Sequence, residues 1–457
     1  MKNMATALHL SDLPQRVLIV GLGKTGLSCA RYLQDLGVSQ LAVTDSREHP
    51  PGLDELREQL PDVGLFLGDF DAELFAHTEM LVVSPGVALQ TPAIQYAIEQ
   101  GVPVVGDVEL FAREVQGTVA AITGSNGKST VTTLLGQMAA VVNRDVVAGG
   151  NLGKPVLDLL AEEHALYVLE LSSFQLETTY SLAPDVAVVL NISADHMDRY
   201  IDLDSYAGIK SRIYSQARTG VYNLDDPQVM QMPRTSQALF FTLGEPRGAD
   251  CFGLRHIDDE AWLCQGDDAL LPAKALLMPG SHNLANALAA LAMGTALQLP
   301  LQDMLDVLRL FPGLEHRTEY VGEHGGVKWY NDSKGTNPGA TIAAMQGLHA
   351  EDDHRTVLIA GGDCKQADFT ALARVIKDTA RAVVLIGRDR QQIRQLLDAD
   401  VNCVDAEDMD EAVAQAARLA LPGDRVLLSP ACASFDMFDG FEHRGNVFKS
   451  CVGRLFA

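Results

Sequence analysis

Short apolar runs rich in valine, leucine and isoleucine, each ending in glycine, serine or aspartate and each followed by a helix-length segment, recur along the chain. That alternation restricts the fold to α/β units around parallel sheets. The runs fall into three groups. RVLIVGLG, QLAVTDSR, EMLVVSPG and VPVVGD precede residue 108, while VAAITGSNGKS, ALYVLELSS and DVAVVLNIS lie between residues 119 and 193. VKWYNDSK, TVLIAGGD, AVVLIGRD and RVLLSPA make up the third. Between the second and third, ALFFTLGEPRGADCFGLRHIDDEAWLCQGD reads as a mixed, β-rich stretch. Each group can form its own sheet, and 457 residues exceed what one core of up to about 250–300 residues holds. Three domains are therefore expected, over 1–106, 107–313 and 314–457. The first boundary precedes the amphipathic DVELFAREV, and the second follows the Phe311-Pro312-Gly313 break.

Composition narrows the functions. Lys and Arg number 35 against 60 Asp and Glu, a formal charge of -25, and the acidic residues are spread along the chain. No broad surface for nucleic acid is expected, and anionic small ligands need local cationic pockets or metal ions. The seven cysteines (Cys29, Cys251, Cys264, Cys364, Cys403, Cys432, Cys451) form no C-x-x-C pair. Reduced thiols in a cytoplasmic protein are expected rather than a disulfide or zinc framework. With no apolar run of about 18 residues, neither a membrane span nor a signal peptide is expected.

In open α/β sheets ligands bind beyond the carboxyl ends of the strands. The first such loop, Gly21-Leu22-Gly23-Lys24-Thr25-Gly26, has G-x-G-x-x-G spacing, and Asp45 stands 19 residues beyond Gly26 where a ribose-binding acid is expected. Taken alone it suggests a nicotinamide-dependent dehydrogenase. That reading leaves the second loop unexplained. There, Gly124-Ser125-Asn126-Gly127-Lys128-Ser129-Thr130 follows a strand and opens a helix. Glycines turn backbone N–H groups toward phosphate oxygens, Lys128 adds charge, and Ser129 or Thr130 can ligate magnesium. The loop is a variant, because Ile122 occupies the position of the usual first glycine. ATP is the expected nucleotide.

Glu170 stands inside an apolar run and His196 in the loop after another. Singly, each also reads as an ordinary strand-end or loop residue; together behind a phosphate loop they suggest cation ligands. Lys210, in SYAGIKSRIY, reads as an exposed helix lysine. In the third block Asp332, Lys334, Thr336, Lys365, Ser434 and Phe441 follow strand-like runs. Such lysines and hydroxyls can bind an anionic substrate, although the same residues are ordinary in βα loops. An ATP-dependent scaffold or switch is the non-enzymatic alternative, distinguished by an absence of phosphate release.

AITGSNGKST, GGNLGKP, LELSSFQLE, DHMDRY, GSHNLANALAA, GLEHRTE, NDSKGTN, GGDCKQADF and SPACASFDMFDGFEHRGN occur in an order and spacing that resemble the Mur ligases over nearly the whole chain. The resemblance implies a Rossmann-like UDP-binding domain, a central P-loop-type ATPase domain with a parallel sheet and a smaller β-rich part, and a Rossmann-like C-terminal domain for the incoming amino acid. It implies that ATP phosphorylates the carboxylate of UDP-N-acetylmuramoyl-L-alanine and that D-glutamate attacks the acyl phosphate, in cytoplasmic peptidoglycan precursor synthesis. A sibling ligase using another amino acid is the alternative, weakened by the absence of a DNPR segment.

Carried over motif by motif, Gly124 to Thr130 hold phosphates, with Lys128 stabilising the transferred charge. Ser129, Thr130 and Glu170 surround one magnesium; His196 and Lys210, the latter as a carbamate, serve a second. Asn286, Arg317 and Asp332 hold adenine, phosphate and ribose. Gly23, Lys24, Thr25, Asp45, Ser46, Arg47, Ser84, Gly86 and Asn151 contact the UDP substrate. Lys334, Thr336, Lys365, Ser434 and Phe441 form the D-glutamate pocket. A monomer is expected.

Overall fold

A computed structural model describes residues 14–142, 145–278, 280–349, 354–364, 367–397 and 401–456. It contains three sheets, one for each block of the sequence. In the first, β1 (Arg16–Val20), β2 (Gln40–Asp45), β3 (Gly64–Leu67), β4 (Met80–Val83) and β5 (Val104–Val105) are all parallel, in the order β3-β2-β1-β4-β5. The order reverses between β1 and β4. The crevice at such a switch point lies between the loops that follow those two strands.

The central sheet has nine strands. β6 (Thr118–Thr123), β7 (Val146–Gly150), β8 (Leu166–Glu170), β9 (Val186–Val189), β10 (Thr219–Asn223) and β11 (Gln237–Phe241) are joined by β12 (Cys251–Ile257), β13 (Glu260–Gln265) and β14 (Asp268–Pro272). The order is β14-β13-β12-β11-β10-β9-β6-β8-β7, and only the β12-β13-β14 edge is antiparallel. The mixed stretch foreseen in the sequence thus extends the same sheet through β11 and β12 instead of forming a separate layer. In β6, Val119 and Ala121 enter one apolar cluster and Ala120 and Ile122 another, as the two-residue period of a strand covered on both faces requires.

The third sheet runs β15-β16-β20-β17-β18-β19, with β15 (Glu319–His324) antiparallel to β16 (Val327–Asn331). β17 (Thr356–Gly361), β18 (Ala380–Ile386), β19 (Asn402–Asp405) and β20 (Arg425–Leu428) are parallel.

The blocks meet differently. One apolar cluster runs from Val17 and Ile19 of the first sheet through Val108 and Phe111 to Val119 and Leu169 of the central sheet. The third block has its own clusters. Where helix Ser281–Ala296 of the central block approaches helix Pro338–His349 of the third, two glycines lie back to back. A Cβ on Gly347 would sit 2.9 Å from the Cα of Gly280, closer than real Cβ atoms come.

Candidate active site

The first glycine loop is built for close backbone approach. Gly21 has φ +98°, and a Cβ on Gly26 would lie 1.9 Å from the Gly21 carbonyl oxygen, so helix and strand pack there only without a side chain. At Gly23 a Cβ would meet nothing within 4 Å, leaving the loop open to a ligand. Asp45 ends β2. Its carboxylate accepts from Leu22 N (2.7 Å) and Arg47 N (2.9 Å) and pairs with the Arg47 guanidinium (2.7 Å). Burial raises its pKa, but the Arg47 and backbone hydrogen bonds outweigh that and leave it below the usual value.

This loop opens onto a cavity of about 800 Å³. All nine residues expected to contact the UDP substrate line it, from Gly23, Lys24, Thr25, Asp45, Ser46 and Arg47 to Ser84, Gly86 and Asn151. So do Ser129, Glu170, Lys334 and Phe441. One cleft therefore joins the ends of all three sheets.

At the second loop Gly124 (φ +153°) and Gly127 (φ +84°) make the turn into helix Lys128–Val141. Lys128 Nζ folds back and donates to the carbonyls of Gly124 (2.9 Å) and Ser125 (3.0 Å). Asn126 N donates to Asn191 Oδ1 (2.8 Å), and Arg317 reaches across from the third block to donate to Ser129 Oγ (2.6 Å). Asn126, Gly127, Thr130, Asn286, Arg317, Asp332 and Lys334 line a second cavity of about 130 Å³, with His282, Asn283 and Thr318. Asp332 accepts from Thr318 N (3.0 Å) and Ser429 Oγ (2.6 Å), and burial pushes its carboxyl up to about 6.

Lys210 is 1% exposed, which overturns its reading as a surface lysine. Asp202 caps its helix, Leu203–Ser211, and the lysine donates to Thr123 Oγ1 (3.2 Å) and Gly124 O (3.0 Å). Burial, and then the charge of Lys128, hold it well below the ordinary lysine pKa. Burial also lowers Lys128 and Arg317, and brings Lys334 down to about 8. Lys128, Arg317 and Lys334 thus gather beside the buried Lys210 amine in a chain of formal charge -25. An anion between them relieves their mutual repulsion.

Glu170 is 2% exposed at the end of β8. Its Oε1 accepts from Asn151 Nδ2 (2.6 Å), whereas buried Oε2 has no hydrogen-bond partner. A buried carboxylate oxygen without a donor fits a cation. Among the described residues no three His, Cys, Asp or Glu side chains converge as a metal site, so hydroxyls, phosphate oxygens or a modified lysine would have to complete the coordination.

His196 (φ +57°) packs edge-on against Phe174 with ring centroids 4.7 Å apart, and lines a third cavity of about 50 Å³ with Asp195, Thr336 and Cys364. His196 and Glu170 line different cavities. Among the expected amino-acid contacts, Lys334 Nζ lies 3.8 Å over the Phe441 ring and Ser434 is 3% exposed; Lys365 lies outside the described residues.

Sequence reasoning missed Arg199. It donates to the carbonyls of Pro85 (3.0 Å) and Val87 (3.2 Å), pairs with Glu177 (2.6 Å) and stacks over Phe174 at 4.2 Å. It therefore ties the loop bearing Ser84 and Gly86 to the His196 loop. Its place in DHMDRY was a signal, because an arginine beside two candidate ligand loops invites a search for carbonyl partners.

Three family descriptions match in chain order: "Mur ligase MurD-like, N-terminal domain" over residues 15–106, "Mur ligase middle domain" over 122–294 and "Mur ligase, glutamate ligase domain" over 316–432. The UDP-N-acetylmuramoylalanine--D-glutamate ligase of Nitrosococcus oceani is 54% identical, covering 96% of this chain and 97% of that protein. The like-named Pseudomonas putida enzyme is 49% identical, covering 99% and 100%. The crystal structure of UDP-N-acetylmuramate-alanine ligase MurC from Thermotoga maritima superposes with a TM-score of 0.60 at 19% identity, over 96% of this chain and 99% of that one, showing a shared fold.

Proposed function

The chain belongs to the Mur ligase family, and we propose from that premise that it joins D-glutamate to UDP-N-acetylmuramoyl-L-alanine at the expense of ATP, as a cytoplasmic step of peptidoglycan precursor synthesis. The observation that carries this reading is the cleft shared by the first glycine loop, Ser129 and Glu170 of the central block, and Lys334 and Phe441 of the third.

The UDP moiety lies against Gly23 to Thr25, Asp45 to Arg47 and the Ser84–Gly86 loop, which directs the alanyl carboxylate toward Ser129. ATP takes the second cavity, its ribose and adenine held by Asp332 and Asn286 and its phosphates by Gly124 to Thr130. The γ-phosphoryl group passes to the carboxylate and ADP remains. The D-glutamate amine then attacks the acyl phosphate, an amide forms and inorganic phosphate leaves. Lys128, Arg317 and Lys334 meet the negative charge that gathers on the transferred group, and such electrostatic positioning is most of what phosphoryl transfer asks of a protein. Thr336, Lys365, Ser434 and the Phe441 backbone receive the amino acid.

Ser129, Thr130 and Glu170 would hold one Mg²⁺, and His196 with carbamylated Lys210 a second. Magnesium supplies neutralisation of phosphate charge. Lys210 suits carbamylation because the neutral amine, the form favoured by its burial, is the one that adds carbon dioxide. We assign the units 1–106, 107–313 and 314–457 to UDP substrate, ATP and amino acid, and a monomer suffices. Among the described residues no helix is long and apolar enough to cross a membrane.

The test is phosphate release with UDP-N-acetylmuramoyl-L-alanine and, separately, D-glutamate, L-glutamate, L-alanine, L-lysine and diaminopimelate. D-glutamate alone is expected to support turnover. Release with another amino acid and not with D-glutamate overturns the assignment.

A further inference from the structure

Two of the seven cysteines, 68 residues apart in sequence, meet beyond the ends of the third sheet. Asp363 and Ala433 form an isolated antiparallel bridge, exchanging both backbone hydrogen bonds (3.0 and 2.9 Å). Cys364 and Cys432 are the residues next to that bridge on its two segments, which brings their side chains together. The sulfurs are 2.9 Å apart, and both thiols are free and buried. Cys364 also lines the third cavity, whose volume of about 50 Å³ admits a molecule the size of hydrogen peroxide.

We propose that Cys364 and Cys432 are a modification site at which a small hydroperoxide converts the thiol pair into a cross-strand disulfide that weakens amino-acid binding. The hydroperoxide oxygen transfers to the Cys364 sulfur, giving a sulfenic acid and leaving water or an alcohol. The Cys432 thiol displaces hydroxide from that sulfur, and its proton leaves with it as water. The hydrogen bond to Cys364 and burial both raise the Cys432 pKa. Cys364, which lines the cavity, is therefore the sulfur that meets the peroxide first, and Cys432, which does not line it, is the one that closes the bridge.

Bonding draws the sulfurs in to about 2.05 Å. The Cys432 side yields little: Ala431 (φ +60°) donates to Gly335 O (2.8 Å), Gly361 N donates to Pro430 O (2.8 Å), and buried Arg444 donates to Cys432 O (3.2 Å). The Cys364 side is held as well, since its N–H donates to Asp389 Oδ2 (3.0 Å) and its carbonyl accepts from Ala367 N (2.9 Å), so the adjustment is passed to the loops around both sulfurs. Ser434 stands two residues from Cys432, and Thr336 lines the third cavity together with Cys364. A bridge here therefore acts beside two of the residues assigned to D-glutamate, and neither cysteine lines the UDP cleft. The effect on D-glutamate rests on the ligase reading, whereas formation of the bridge does not.

The experiment treats reduced, full-length protein with graded hydrogen peroxide, alkylates it under denaturing conditions and reads intact mass and a non-reducing peptide map. The expected product carries five alkyl groups where the reduced protein carries seven, has lost two hydrogens to the bridge, and links the peptides carrying Cys364 and Cys432, and C364S and C432S each abolish that link. A stable sulfinic acid at Cys364, or a different cysteine pairing, overturns the site. In the same samples the KM for D-glutamate is expected to rise several-fold, to recover with dithiothreitol, and to stay constant in peroxide-treated C364S, while affinity for an ATP analogue is unchanged. A bridge that forms without moving that KM overturns the functional half. Absence of all ligase activity in the reduced protein defeats the ligase reading and leaves the mass result standing.

Discussion

The seam between the first and central blocks and the seam between the central and third blocks are made of different material. The first is apolar: a single cluster passes from Val17 to Leu169, and Arg199 and Ser28 add polar ties, with Arg199 donating to Pro85 O (3.0 Å) and Ser28 Oγ to Asp158 (2.5 Å). Across the second, the contacts are polar. Arg317 meets Ser129, and Asn337 Nδ2 approaches Asn126 (3.4 Å) and Asp195 (3.3 Å). Apart from Leu314, where the third block begins, no apolar cluster among the described residues spans it. An apolar seam fixes relative position, because opening it exposes hydrocarbon to water. A polar seam can exchange its partners for a ligand's oxygens at little cost. The phosphate chemistry proposed above falls at the exchangeable one.

The most severe test of that contrast is K128A, which removes a cation from the polar seam. Turnover is expected to fall by at least about 10³-fold while the unfolding midpoint stays near wild type, and a loss under tenfold would break the assignment of chemistry to this seam. R199A strikes the apolar one. It leaves Glu177 buried without its cation, so urea denaturation should show a loss of about 3–5 kcal/mol. An unchanged midpoint would mean that the apolar cluster alone holds the first seam.

The two acids beside the nucleotide-type loops give opposite pH responses. Asp332 has its folded pKa raised to about 6. The stability it contributes is complete below the unfolded value near 3.8 and is lost as pH rises through 6. Between pH 4 and 8 wild type should therefore lose about 1–3 kcal/mol relative to D332N. Asp45 has its pKa lowered, so its contribution is present above about 3.8 and disappears as pH falls through the folded value. D45N should accordingly converge on wild type only in acid. Parallel stability curves for both variants would sink this contrast. The smallest effect is a drop in radius of gyration by X-ray scattering when ATP analogue and UDP substrate are both present, as the third block closes and excludes water from the acyl phosphate. No compaction counts against a mobile second seam.

Much of this was legible in the sequence because strand ends are punctuated. Glycine after an apolar run marks a turn whatever the partner strand, so three sheets and the two glycine loops follow from spacing alone. Lys210 was not legible from its own surroundings. Its helix has ordinary composition, and only the fold brings Thr123 and Gly124 to the amine. Arg199 and the Cys364–Cys432 pair failed for a related reason, since their partners are carbonyls or a thiol far along the chain. The antiparallel β13-β14 edge shows the limit on topology: alternation specified strands, and tertiary pairing decided that they prolong the central sheet.

The back-to-back glycines at 280 and 347 set the spacing of the second seam at one point. Because neither carries a side chain, main chain rests on main chain there, with the His282 ring of the central block packed alongside both. A single methyl at Gly347 would work as a shim, holding the blocks apart by its own thickness and resetting the angle at which they close.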